Sequence, residues 1–197
     1  RIGMTAHGTT SSYYDTTCAL FEVAAAGRRC VVFFRNVNQG QRGHPSTTDL
    51  IGALTDAGFA DIAGYRGNGT MVGAAIGPTS LLAADVADAL AERSGHVRDA
   101  FVLPLDDVAD IVDAFAPDSP ATAERLELSV FDPRHTIDEL PAPGIRCEVI
   151  ASGTGWAVTR NELDDRSQAT PSIERLIGSP VTSRGMSTMR GVVAKHA

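Results

Sequence analysis

Arg35 stands at the mouth of an apolar run, Val31 to Phe34, where a planar guanidinium suits two kinds of chemistry: holding a carboxylate of the protein, or gripping an anionic ligand. Asn38 and Gly40 follow in the turn after that run. Asn in such a place bonds its own backbone and tolerates left-handed geometry, or offers its amide to a ligand. Tyr65 introduces a hairpin, where its ring either closes the edge of a core or lines a cleft. The sequence gives catalysis less support. His7, His44, His96, His135 and His196 fall in different elements with no pair at helical ligand spacing, so no metal site is expected. No serine sits in a nucleophile elbow, and no cysteine has a local partner that would lower its pKa. Asp106-Asp107 and Asp164-Asp165 are adjacent acids that read as helix caps or loop solvation. The run Gly67-Asn68-Gly69 precedes a strand rather than a helix, the wrong context for a dinucleotide loop. The set of catalytic residues is therefore empty, and no cofactor is expected.

Composition narrows the class further. With 197 residues and 43% hydrophobic content the chain can bury a real core as one larger domain or two small ones. A formal net charge of -7 disfavours broad phosphate-driven binding of nucleic acid, which needs a basic surface. Cys18, Cys30 and Cys147 are odd in number and far apart, so neither a disulfide framework nor a zinc site is indicated. The start lacks a signal-peptide pattern and no stretch reads as a membrane span. A cytoplasmic protein is the expectation.

The elements that must position the polar residues follow from periodicity and punctuation. Residues 1–29 read as a partly disordered tail. Val31 to Phe34 reads as a strand; Ser46 caps a helix carrying Leu50, Ile51 and Leu54, which Gly58-Phe59 stops. Asn68-Gly69 predicts a two-residue hairpin turn. Ser80 is the expected cap of a helix with Leu82, Val86 and Leu90 on one face, and Val97 to Leu103 the next strand. Asp106 is the expected cap of a helix that links two halves, with a linker at 116–124. The same order then appears again: alternating Leu126, Leu128 and Val130; a short helix from Thr136 to Leu140; Ile145, Cys147 and Val149; Trp156 and Val158; a helix capped by Thr170; a strand from Val181 to Arg184; and a terminal helix capped by Ser187 or Thr188. Strand, helix, strand, strand, helix, strand, twice over, predicts an α+β chain. It is read as two ferredoxin-like subdomains in tandem, residues 30–116 and 117–197, with antiparallel sheets and helices packed on one face.

The motifs resemble those of a bacterial family known as domain of unknown function 1697. VFFRNVNQGQ keeps that family's arginine, asparagine and glycine as Arg35, Asn38 and Gly40, while Asn36 and Gln41 stand where members carry glycine. Gly58-Phe59 matches the family's helix ending, and GYRGNGT keeps Tyr65 and Gly69, with Thr70 in place of an asparagine. RLIGSPVTSRGMST keeps Thr182, Arg184 and Thr188, with Gly185-Met186 replacing an asparagine-tryptophan pair. The resemblance runs from about Val31 to the C-terminus. It implies paired ferredoxin-like units in a cytoplasmic bacterial protein and no established reaction.

Three functions remain open at this point. In the first, Arg35, Asn38, Gly40, Tyr65, Thr182, Arg184 and Thr188 gather at a shallow cleft and receive a small anion or phosphorylated metabolite, the two arginines forming a fork. In the second, the same cleft serves an enzyme on a phosphorylated or nucleotide-like substrate, which needs a titratable base nearby. In the third, an exposed sheet surface forms a homodimer or holds a protein or RNA partner. Each arginine also has a purely structural role open to it, as does each threonine.

Overall fold

The computed structural model describes residues 27–115, 125–137, 146–162 and 167–197. In chain order the elements are β1 (Arg28–Phe34), α1 (Thr47–Asp56), β2 (Ala60–Tyr65), β3 (Thr70–Ala75), α2 (Thr79–Ser94), β4 (Ala100–Pro104), α3 (Leu105–Ala114), β5 (Leu126–Phe131), β6 (Cys147–Gly153), β7 (Trp156–Asn161), α4 (Ala169–Ile177), β8 (Val181–Gly185) and α5 (Met186–His196). The described strands form two four-stranded antiparallel sheets, ordered β2-β3-β1-β4 and β6-β7-β5-β8. With five helices among the described residues around them, the architecture is α+β.

β1 is the centre of the first sheet, and Cys30 to Phe34 are all buried. Successive strand residues face opposite sides, so five apolar residues in a row supply two apolar faces. Cys30, Val32 and Phe34 join Leu50 and Leu54 of α1 and Leu82, Val86 and Leu90 of α2 in one core. Val31 and Phe33 join a second core with Val108, Ile111 and Val112 of α3, Leu128 and Val130 of β5, and Met186, Met189 and Val192 of α5. The expectation of helices on one face only is thereby corrected. α3 lies against β1, α5 lies against β5, and the two helices pack on each other between the sheets. On the outer face of the second sheet, Phe131, Ala157 and Val181 pack with Ile173 of α4.

Several local expectations move. Arg28 and Arg29 already belong to β1, ahead of the predicted boundary. Residues 1–26, the linker at 116–124, Ile145 and most of the predicted helix from Thr136 to Leu140 lie outside the described residues. β4 begins at Ala100, leaving Val97 outside it and 78% exposed. Ser46 does cap α1, as half of a capping box with Asp49, and the Phe59 N–H closes the helix end on the Leu54 carbonyl at 2.9 Å. Ser80, Asp106, Thr170 and Ser187 or Thr188 are not caps. Their helices start one to two residues earlier, after Pro78, Pro104, Gln168 and Gly185, with no side-chain cap bond.

The hairpin turn takes all four residues Arg66 to Gly69, with positive φ at Arg66 and Gly69 rather than at Asn68. Its tip is docked on the end of β1: the Phe34 N–H donates to the Gly69 carbonyl at 2.8 Å, and the Gln39 N–H to that of Gly67 at 2.7 Å. A Cβ at Gly69 would stand 2.9 Å from that of Val37, so both space and φ require glycine there. This docking sets Asn68 beside the loop that follows β1, and that pairing is half of the site.

Candidate functional site

Arg184, in β8, is only 9% exposed. Its Nε donates to Thr70 Oγ1 (3.0 Å), Nη1 to Thr182 Oγ1 (2.7 Å) and the Ser183 carbonyl (2.8 Å), and Nη2 to the carbonyls of Phe34 (2.8 Å) and Asn68 (2.7 Å). A guanidinium has five N–H groups, and all five are used. Three of the acceptors lie in the first half of the chain, so one side chain of the last strand stitches the halves together. Every acceptor is neutral. Burial pushes the pKa of Arg184 down to about 10, which leaves it a cation at neutral pH. The seam therefore holds a desolvated positive charge that neutral hydrogen-bond partners satisfy geometrically and that the Glu127 carboxylate offsets only in part.

Arg35 is at the same seam and has a different fate. Its Nε and Nη2 donate to Glu174 Oε1 at 2.9 and 2.6 Å, its Nε also reaches the Val181 carbonyl at 3.1 Å, and Asp99 lies 3.6 Å from Nη1. Glu174 Oε1 accepts the Val181 N–H as well, at 3.1 Å. The carboxylate-pairing role is thus the one the geometry realises for Arg35.

Between these two arginines, along the open edge of β8, lies a cleft of about 250 Å³ lined by Asn36, Val37, Asn38, Asn68, Thr170, Val181, Thr182, Ser183 and Arg184. Its chemistry follows from the strand edge. In an antiparallel ladder a residue turns both its N–H and its carbonyl to the same side. Val181 turns both outward, where Glu174 and Arg35 take them. Ser183, two residues on, turns the same way; Arg184 takes its carbonyl, and its N–H faces the cleft. Glu174 already shows what this edge accepts next to an arginine, namely an oxyanion. Thr182 adds a second donor: its hydroxyl accepts from Arg184, and among the described residues no acceptor takes its proton. Among the described residues neither a carboxylate nor an imidazole lines the cleft itself, but His44 Nδ1 accepts the Asn38 N–H at 3.1 Å and Glu174 holds the Val181 N–H at its edge.

Of the residues singled out in the sequence, Asn38, Thr182 and Arg184 line the cleft, whereas Arg35, Gly40, Tyr65 and Thr188 do not. Tyr65 instead reaches across the seam to α5, where its hydroxyl occupies the space a methyl at Gly191 would need. Thr188 accepts from Arg66 Nη1 at 3.5 Å, and the Arg66 guanidinium lies 5.6 Å from the centre of the Tyr65 ring. Gly40 is an exposed turn residue with φ of +83°. Sequence reasoning missed Asn36, Asn68, Thr170, Ser183 and Glu174. Asn68 and Ser183 carried a signal in standing next to motif residues; Glu174 carried none, lying 139 residues from its partner.

A larger groove of about 1090 Å³ runs along β4 and the first turns of α2. Its charged walls are already paired, Arg28 with Asp107 at 2.9 Å, Arg134 with Asp132 at 2.5 Å and Asp99 with Arg35 at 3.6 Å. Among the described residues no group of three His, Cys, Asp or Glu could hold a metal ion, and no helix is long and apolar enough to cross a membrane.

Two antiparallel sheets bridged by a buried arginine define an α+β protein with a polar seam. A family model described as a protein of unknown function, DUF1697, matches residues 28–144, more than half of the chain, and the protein belongs to that family. Among solved structures, the chain is similar to the conserved bacterial protein SP0830 from Streptococcus pneumoniae, at 16% identity and a TM-score of 0.59, over 86% of this chain and 98% of that one. That likeness is one of fold. No curated protein matches.

Proposed function

We propose that the seam cleft binds a small anion or the anionic group of a phosphorylated metabolite, and that this binding, rather than catalysis, is its role. The observation that carries the reading is the buried guanidinium of Arg184, whose hydrogen-bond partners are all neutral and whose charge Glu127 offsets only in part, set behind a cleft lined by the Thr182 hydroxyl and the Ser183 N–H. An anion there would neutralise a charge that folding has desolvated. The cleft is smaller than sites that enclose whole drug-sized ligands, which favours a phosphate-sized group over an entire nucleotide. In this reading each half is a ferredoxin-like unit and the chain a duplication. What supports it is the matching strand orders and the way a helix follows the last strand of each half without a loop.

A ligand that binds the folded state raises its stability. Inorganic phosphate in a thermal-shift assay should raise the midpoint of the native protein by several degrees, on the order of 2–4 °C per kcal/mol of linkage, and should do so far less for Thr182→Val. Equal shifts in both proteins, or none in either, would refute the reading.

A further inference from the structure

The cleft offers an acceptor as well as donors, and the acceptor constrains what accompanies the anion. Thr170, in the first turn of α4, spends its hydroxyl proton on Ser183 Oγ at 2.8 Å, and Ser183 Oγ in turn lies 2.9 Å from the fully buried Ser129 Oγ. A hydroxyl has one proton and two lone pairs, so Thr170 faces the cleft as an acceptor. Asn68 lines the cleft too, but its Oδ1 is shut off from solvent and its backbone carbonyl is fixed by Arg184, so Thr170 is the acceptor a ligand meets. The ionised oxygens of an anion bring such an acceptor no proton, whereas a hydroxyl on the ligand does.

Resting on the anion reading above, we propose that the ligand class of the seam cleft is a small hydroxylated oxyanion: a phosphate ester or carboxylate carrying a hydroxyl a few bonds away. The oxyanion meets Thr182 and the Ser183 N–H in front of Arg184, and the hydroxyl donates to Thr170 Oγ1. A site built to receive a hydroxyl discriminates against the analogue that lacks it, because its own polar atoms are then left unpaired.

Glycerol 3-phosphate and n-propyl phosphate carry the same phosphate on chains of similar length, with and without hydroxyls, and inorganic phosphate, which keeps a P–OH at neutral pH, is the reference without a carbon chain. Calorimetric titration of the native protein should give glycerol 3-phosphate an affinity about tenfold above that of propyl phosphate. In Thr170→Val that ratio should fall to within about twofold, and in Thr170→Ser, which keeps the hydroxyl, it should return. Equal affinities for the two esters in the native protein would overturn this inference and leave the anion reading standing. Failure of all three phosphates to bind would overturn both. A ratio unchanged in Thr170→Val would remove Thr170 as the hydroxyl's acceptor and with it the assignment. The native comparison needs no variant, so an unstable Thr170→Val leaves the test intact.

Discussion

Arg184 meets five acceptors in two halves of the chain, and the cost of losing it follows from what would be left behind. Arg184→Met removes the charge but orphans the buried carbonyl of Phe34 and the hydroxyl of Thr70, so we expect a loss on the order of 3 kcal/mol or more in chemical denaturation. Arg184→Lys, with three donors and no planar fork, should recover only part of it. For Arg35 and Glu174, both partly buried, a double-mutant cycle with Arg35→Ala and Glu174→Gln should return a coupling of about 1 kcal/mol or more. Independent effects would contradict the pairing. The two arginines stood out in the sequence because each closes a short strand-like run. Which of them would be ion-paired did not, since Glu174 reaches Arg35 only through tertiary folding.

Among the elements, α1 and α5 make separable predictions. The Asp49 carboxylate is held below its ordinary pKa chiefly by the Ser46 hydroxyl and then by the Ser46 N–H. A depressed carboxylate contributes stability that is complete above its unfolded pKa and is lost as pH falls through the lower folded value. Ser46→Ala should cost about 1 kcal/mol at neutral pH and should flatten that acid-side loss, as urea midpoints measured from neutral pH downward would show. Gly191→Ala should destabilise by about 1–3 kcal/mol because the methyl overlaps the Tyr65 hydroxyl, and Tyr65→Phe in the same chain should restore part of the loss. Additive costs would mean that the contact is not the cause. The capping box and the Gly58-Phe59 helix end were legible because their whole signal is local. The starts of α3 and α5 were not, since each helix follows its strand directly and leaves no polar residue in the cap position.

For the molecule as a whole, the order of elements along the chain and the α+β class could be read from periodicity, because alternation and helical stripes are properties of single segments. The arrangement of the two sheets could not. Val31 to Phe34 is equally apolar on both sides, and only the placement of α3 and α5 shows what covers the second. Because that shared core joins both halves, unfolding should be a single transition. Trp156, the chain's one tryptophan, sits in the second sheet, while Leu50 lies in the outer core of the first. Leu50→Ala should therefore shift the Trp156 fluorescence midpoint as far as the far-ultraviolet circular dichroism midpoint. Two separate transitions would show that the seam does not couple the halves.

The central claim is that the buried and only partly offset charge of Arg184 draws an anion to the edge of β8. Amide and arginine side-chain resonances followed during titration with inorganic phosphate test it most directly. The Ser183 amide, the Asn38 side chain and Arg184 Nε should move together and saturate. Shifts confined to exposed arginines elsewhere, or growing linearly without saturation, would contradict it.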